Sequence, residues 1–357
     1  MTAAILHATE ADIARAVAAL ARGELVAIPT ETVYGLAGLA LDPQALARIF
    51  AAKARPTFDP LIAHVAPSPR GTHLQALAAA GLVDLAQLTP AARQSAQRLA
   101  DAFWPGPLTL VLPRAADVPD LCTAGLDSVA VRMPAHPVAQ AILTQLGQPL
   151  AAPSANRFGR VSPTTAAHVH AELGERIGWI VDGGPCAIGV ESTVVAVQAD
   201  GACALLRPGG VTAAQIAAVA GQPVFKPQTS ALALPSPGML ASHYAPSLPL
   251  RVLPAPLAAL ADSEVRALVE PGDGVLLLAG SAETAAHRLE QLLGARSPVL
   301  TLAPDGNDAI AAQQLFASLR HLDASGAAQL WTEPVTRLDG LWPAIADRLN
   351  RASAPRP

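Results

Sequence analysis

Lysine is nearly absent from this chain: of its 24 basic side chains only Lys53 and Lys226 are lysines. With a net charge of -4 and a pI near 6.1, a broad basic surface of the kind that holds a protein on nucleic acid is excluded. Cysteine is scarce as well. Cys122, Cys186 and Cys203 are odd in number and form no Cys-x-x-Cys pair, so no disulfide framework is read and a reducing compartment fits. No apolar run approaches the roughly 18 residues of a membrane span. Residues 1–10 lack a basic stretch followed by an apolar core, so no signal peptide is read there and a cytoplasmic location is expected. No fixed-period repeat is present.

What is there is a chain of 357 residues with 51% hydrophobic content, enough for a sizeable core and, by length, for two domains. Thr9-Glu10-Ala11-Asp12 resembles a helix-capping start, and Ile13, Val17 and Leu20 recur at helical spacing until Gly23. Asp42-Pro43 opens a second helix as N-cap and first-turn proline, with Leu46, Ile49 and Phe50 on its apolar face and Lys53 at its end. Strands are expected at 25–28, 61–65, 108–112, 129–132, 150–152, 179–181, 193–197 and 204–207. Helices are expected among them at 136–146, 164–173 and 212–219. This pattern is a mixed α/β domain over residues 1–215.

Prolines crowd residues 222–256, which no helix or central strand tolerates, so an extended connector is expected, with the linker spanning 216–256. A second block, 257–357, alternates strand (274–278), helix (283–293), strand (299–302), helix (308–322), strand (329–332) and helix (344–351). That order argues for a small Rossmann-like parallel α/β domain. No G-x-G-x-x-G follows Gly280, so dinucleotide binding is unsupported.

Several strand-end loops are too polar for packing alone. Pro29-Thr30-Glu31-Thr32-Val33-Tyr34-Gly35-Leu36 follows one buried strand, and Pro153-Ser154-Ala155-Asn156 follows another, with Ser162-Pro163-Thr164 opening a helix. Ligands of open α/β sheets bind at such strand ends. Helix capping is the alternative for Ser162 and Thr164, and turn chemistry for Ser154 and Asn156. Lys53 and Arg55, two residues apart, make either an anion grip, a point charge beside a planar fork, or a solvated helix end favoured by the macrodipole. His64 and Glu31, read singly, are structural.

Taken together these segments resemble the Sua5/YrdC family, the L-threonylcarbamoyladenylate synthases. The resemblance runs through Pro29 to Leu36, Lys53-Ala54-Arg55-Pro56 with Pro60-Leu61-Ile62 and His64, Phe103-Trp104-Pro105-Gly106-Pro107-Leu108-Thr109, and Val129-Ala130-Val131-Arg132-Met133-Pro134. It continues through Ala152 to Asn156 with Ser162 to Thr164, Asp182-Gly183-Gly184 with Glu191-Ser192-Thr193, and Leu206-Arg207-Pro208-Gly209. Ser236-Pro237-Gly238-Met239 and His243-Tyr244-Ala245-Pro246 are similar to the linker of the long, two-domain Sua5 form.

The resemblance implies a YrdC-like twisted mixed sheet with helices and a nucleotidyltransferase activity. L-threonine, bicarbonate and ATP become threonylcarbamoyl-AMP and pyrophosphate, and a partner transferase then modifies adenosine 37 of tRNA. Carried over by position, Thr32, His64, Arg132, Ala152 and Ser192 fall on the threonine side. Arg55, Asp59, Ser128, Ser154, Asn156, Ser162, Arg207 and Tyr244 fall on the ATP side, and Lys53 and Arg55 are the catalytic cations. Mg²⁺ accompanies ATP through its phosphates, so no protein metal ligand is named. Asp59 departs from the asparagine common in relatives, and an anion there needs an arginine or metal to offset it. Leu341-Trp342-Pro343 replaces the usual glycine-rich start of the last helix.

Two rivals stand beside this reading. A hydrogenase-maturation module would bring zinc-finger segments, which this chain lacks. An RNA-binding factor would need a local patch from Arg55, Arg132, Arg157 and Arg160 against an acidic background, so direct tRNA binding is expected to be weak or absent. The connector is expected to act as a stiff lid whose Tyr244, in a segment with no packing need for an aromatic, reaches ATP; the alternative is that Tyr244 anchors the linker on a domain surface.

Overall fold

The computed structural model describes residues 2–227 and 242–355. The Ser236 to Met239 segment, with Pro235 and Pro237, lies outside the described residues. The chain divides into two compact units, one of residues 1–158, 163–187 and 191–239, the other of 159–162, 188–190 and 240–357.

The first unit is built on ten strands: β1 (Ala4–His7), β2 (Val26–Ile28), β3 (Gly35–Leu39), β4 (Ile62–His64), β5 (Leu108–Pro113), β6 (Ser128–Arg132), β7 (Leu150–Ala151), β8 (Trp179–Asp182), β9 (Thr193–Val197) and β10 (Cys203–Arg207). They form one mixed sheet in the order β1-β8-β2-β3-β7-β4-β6-β5-β9-β10. The helix Pro43–Lys53 starts as its sequence dictates: Asp42 accepts from the Gln44 N–H, Pro43 occupies the first turn, and Ala54 ends it in the left-handed region at φ 50°. Leu46, Ile49 and Phe50 are buried on one face, each stabilising the fold by roughly 2 kcal/mol. That packing fixes where Lys53 emerges.

Two strands escape the sequence pattern. β3 carries Gly35 and Gly38, which weaken a strand signal, yet a Cβ on Gly35 would meet the Ala152 Cβ at 3.1 Å, so glycine permits the close approach to the strand-end loop after β7. β1 is only four residues long. The helix expected from Thr164 is Ala166–Leu173, and its cap is Thr165, whose side chain accepts from the His168 N–H.

The second unit holds β11 (Leu250–Val252), β12 (Gly274–Leu277), β13 (Val299–Thr301) and β14 (Leu330–Thr332), all parallel, in the order β11-β14-β12-β13. β11 lies within the proline-rich stretch and is extended as expected, at an edge of the sheet, the one strand position that prolines tolerate. The helix Asp262–Leu268, unforeseen, packs against Ala282–Leu293, and Asp308–Asp323 packs against Trp342–Ser353.

Candidate active site

Directly paired residues on neighbouring strands share a face of the sheet. One such row crosses the first unit: His64 on β4 pairs with Arg132 on β6, Arg132 with Thr109 on β5, and Thr109 with Val194 on β9. β10 is irregular at this row. Its register shifts between Leu205 and Arg207, so that Arg207 comes opposite Val194. The bulge re-aims Arg207. Its Nη2 donates to the Ser192 carbonyl at 2.9 Å and to Ser192 Oγ at 3.2 Å. Ser192 Oγ in turn lies 2.7 Å from Thr109 Oγ1.

Arg132 is held from three sides. Its Nε donates to the Gly106 carbonyl at 3.2 Å, its Nη1 to Thr32 Oγ1 at 2.9 Å, and its Nη2 pairs with Glu31 Oε1 at 2.6 Å. The 29–34 loop presents Thr32 and Glu31 by folding on its own hydroxyl. Thr30 Oγ1 donates to the Val33 carbonyl at 2.6 Å and accepts from the Thr32 and Val33 N–H groups. Burial alone would raise the Glu31 pKa, but the Arg132 charge and hydrogen bond outweigh it and the net shift is downward. His64 is buried, with Nδ1 3.1 Å from the Ile62 carbonyl. Burial and the Arg132 charge push its pKa down to about 3, so the ring is neutral at physiological pH. Ala152 donates its N–H to the same Ile62 carbonyl at 3.1 Å.

The cations of the Lys-x-Arg segment are both buried. Lys53, 1% exposed, donates Nζ to the carbonyls of Ser154 at 2.5 Å and Asn156 at 2.6 Å. This excludes the solvated-helix-end reading. Burial and then the Arg55 charge hold its pKa well below the usual lysine range. Arg55 pairs with Asp59 at 2.8 Å and donates to the Pro60 carbonyl at 2.8 Å, so an arginine does offset the Asp59 anion. Asn156 Nδ2 donates to the Arg157 carbonyl at 2.8 Å.

The residues named from sequence thus fall into groups: Thr32, His64 and Arg132; Ser192 and Arg207; Lys53, Ser154 and Asn156; Arg55 and Asp59. Ser128 starts β6, at the opposite end of that strand from Arg132, and lines a cavity of about 350 Å³ with Val111 and Ala196. Ser162 and Tyr244 belong to the second unit and both are buried. Tyr244 does have packing partners: its ring lies 4.2 Å from His243, 5.7 Å from Phe316 and 5.4 Å from the Arg348 guanidinium carbon, and its backbone sits in the left-handed region at φ 64°. The sequence reading that the segment has no packing need for an aromatic is therefore corrected.

Glu31, Thr109 and Gly209 stand within the quoted motifs but are not among the site residues named from sequence. Thr109 gave a signal only within its motif. A Cβ on Gly209 would lie 2.3 Å from the Glu191 carbonyl oxygen and 2.5 Å from the Ser192 carbonyl carbon, so glycine alone lets the turn after β10 press against the Ser192 backbone.

Buried arginines and a buried lysine beside hydroxyls, in a unit built on an α/β sheet, are groups suited to small anionic ligands. Comparison with known proteins makes that class specific. The Sua5/YciO/YrdC family model, described as "Telomere recombination", matches residues 18–209, and the model of the threonylcarbamoyl-AMP synthase C-terminal domain matches 211–354. The threonylcarbamoyl-AMP synthase of Bacillus subtilis is 46% identical over 250 residues, 69% of this chain and 68% of its own. That of Pyrococcus abyssi is 38% identical over 340 residues, 94% and 92%. The crystal structure of P. abyssi Sua5 complexed with L-threonine superposes with a TM-score of 0.80 at 36% identity, covering 98% of this chain and 97% of that one. The chain belongs to the Sua5 family of threonylcarbamoyl-AMP synthases.

Proposed function

We propose that this chain makes threonylcarbamoyl-AMP from L-threonine, bicarbonate and ATP, with release of pyrophosphate and water, as the activated donor for threonylcarbamoylation of adenosine 37 in tRNA. The observation that carries the reading is the Arg132 arrangement, in which a buried guanidinium is aligned by Gly106, Thr32 and Glu31 beside a neutral His64. A planar fork suits the threonine carboxylate. In the same reading Thr32, His64, Ala152 and Ser192 complete the threonine side.

The threonine amine attacks bicarbonate and water leaves, giving a carbamate. A carbamate oxygen then attacks the α-phosphorus, and pyrophosphate departs with the electron pair of the broken P–O bond. Positioning and electrostatics supply most of the acceleration in such a transfer. Lys53 and Arg55 are assigned to phosphate charge, and Asp59, Ser128, Ser154, Asn156 and Arg207 to the rest of the nucleotide. Ser162 and Tyr244 are assigned to ATP by family resemblance alone. Among the described residues no group of three or more His, Cys, Asp or Glu side chains is placed to hold a metal, and Asp59 is already paired with Arg55. Mg²⁺ is therefore proposed to enter on the triphosphate and to neutralise its charge.

Residues 1–215 are proposed as the catalytic domain, 216–256 as connector and lid, and 257–357 as the C-terminal domain. Among the described residues no helix is long and apolar enough to cross a membrane, and a cytoplasmic site of action beside a threonylcarbamoyl transferase is proposed, with little direct hold on tRNA. The test is pyrophosphate release by the full chain as each substrate is omitted in turn. Release should need ATP, bicarbonate and threonine together, with serine a poor substitute. Equal release with every amino acid overturns the threonine assignment.

A further inference from the structure

The second unit contains a cavity of about 210 Å³ that the proposed reaction does not use, lined by Leu257, Leu277, Ala279, Ala285, Arg288 and Glu333 among others. Its place in the fold is the first observation. After β12 the chain enters Ala282–Leu293, which packs with Asp262–Leu268. After β14, the neighbour of β12, it enters Trp342–Ser353, which packs with Asp308–Asp323. Val275, Leu277 and Trp331 face the first helix pair, in a cluster with Val265 and Leu289. Adjacent parallel strands whose connections leave to opposite faces open a crevice at their carboxyl ends, where ligands of such sheets bind. Leu277 and Glu333, at the ends of β12 and β14, line this one.

The second observation is its charge. Glu333 is 8% exposed, and its oxygens accept from the Leu257 N–H at 2.9 Å and the Leu278 N–H at 2.8 Å. No basic side chain pairs with it among the described residues, although a buried carboxylate ordinarily has such a partner. Arg288 lines the same cavity yet is committed to the Leu257 carbonyl at 2.7 Å, the Leu260 carbonyl at 2.6 Å and the exposed Asp262 at 2.8 Å. Its Nε–H and one Nη1–H remain. A carboxylate and a guanidinium that face one small space without pairing with each other complement a molecule bearing both charges. Leu257, Leu277, Ala279 and Ala285 supply an apolar wall for a short side chain. At about 210 Å³ the space is smaller than the roughly 300–1,000 Å³ of ordinary small-molecule and cofactor pockets, which favours a small ligand.

We propose that this crevice is a binding site for a free α-amino acid with a short side chain, its ammonium on Glu333 and its carboxylate on Arg288. The site is separate from the threonine side assigned above and does not depend on it.

The test uses the full wild-type chain, with every reporter in the second unit. Backbone amide shifts of Leu278, Gly280 and Glu333 are followed on titration with L-alanine, L-serine and L-threonine, and with ethylamine and propionate as single-charge controls. Saturable shifts are expected with the amino acids, with each control at least tenfold weaker. Glu333→Gln should weaken L-alanine binding at least tenfold. Ala285→Leu, which fills the cavity without touching the Glu333 hydrogen bonds, should abolish it while the thermal midpoint stays within a few degrees. Absence of shifts with all three amino acids, shifts with ethylamine or propionate equal to those with L-alanine, or shifts that survive Ala285→Leu each overturn the proposal.

Discussion

Arg132 and Glu31 form a buried ion pair at 2.6 Å, joining the end of β6 to the loop after β2 across about a hundred positions of chain. The pair fixes the guanidinium before any ligand arrives. Removing one member of a buried pair leaves the other uncompensated, at a cost of about 3–5 kcal/mol. Glu31→Gln should therefore lower the unfolding free energy by several kcal/mol and raise the KM for threonine. The pH dependence follows from the depressed Glu31 pKa. Its stabilisation is fully present above the unfolded carboxylate value and is lost as pH falls through the lower folded value. Denaturant melts of wild type and Glu31→Gln should differ at pH 7 and converge in strong acid. An equal difference at every pH contradicts the pairing.

Lys53 serves structure and charge together. Lys53→Ala leaves the Ser154 and Asn156 carbonyls without their buried donor, costing about 1–3 kcal/mol each, and should also lower turnover by on the order of a hundredfold. Lys53→Arg should not restore turnover, because a planar fork cannot replace a compact ammonium between two carbonyls. Pyrophosphate release and thermal melts read the two effects separately. Wild-type turnover in Lys53→Ala removes Lys53 from the reaction.

His64 should stay neutral across the working range, since its pKa is pushed down to about 3 by burial and Arg132. Below the unfolded histidine value near 6.5 the unfolded chain binds a proton that the folded chain does not. His64 therefore costs stability progressively as pH falls from about 6.5 toward 3. The ring resonances of His64, followed by NMR, should not titrate between pH 5 and 8. A midpoint near 6 contradicts this environment.

Tyr244→Phe keeps the ring beside Phe316 and Arg348, so any fall in thermal midpoint should be no more than the loss of one buried hydroxyl costs, about 1–3 kcal/mol. The KM for ATP should rise severalfold if the hydroxyl serves the nucleotide. An unchanged KM leaves Tyr244 as an anchor of the second unit.

Much of this was legible in the sequence where the signal is local. The Asp42-Pro43 start and the apolar face of Pro43–Lys53 follow from capping and period, and nearly every strand of the first unit shows as an apolar run. β3 did not, because two glycines mask a strand whose reason for glycine is tertiary. The site was legible only as motifs. That Arg132 meets Glu31, or that Thr109 meets Ser192 83 positions away, depends on sheet order, which no local pattern carries. The Tyr244 cage draws on Phe316 and Arg348, more than seventy positions downstream, for the same reason.

The central claim is that bicarbonate and threonine are joined and adenylated on this chain. Incubation of the full chain with ATP, L-threonine and ¹³C-bicarbonate, followed by rapid mass spectrometry, tests it most directly. The label should appear in a threonylcarbamoyl adduct of AMP, in proportion to pyrophosphate released, and should vanish with Arg132→Ala. Pyrophosphate release without labelled adduct, or an adduct that forms equally well in the variant, contradicts the account.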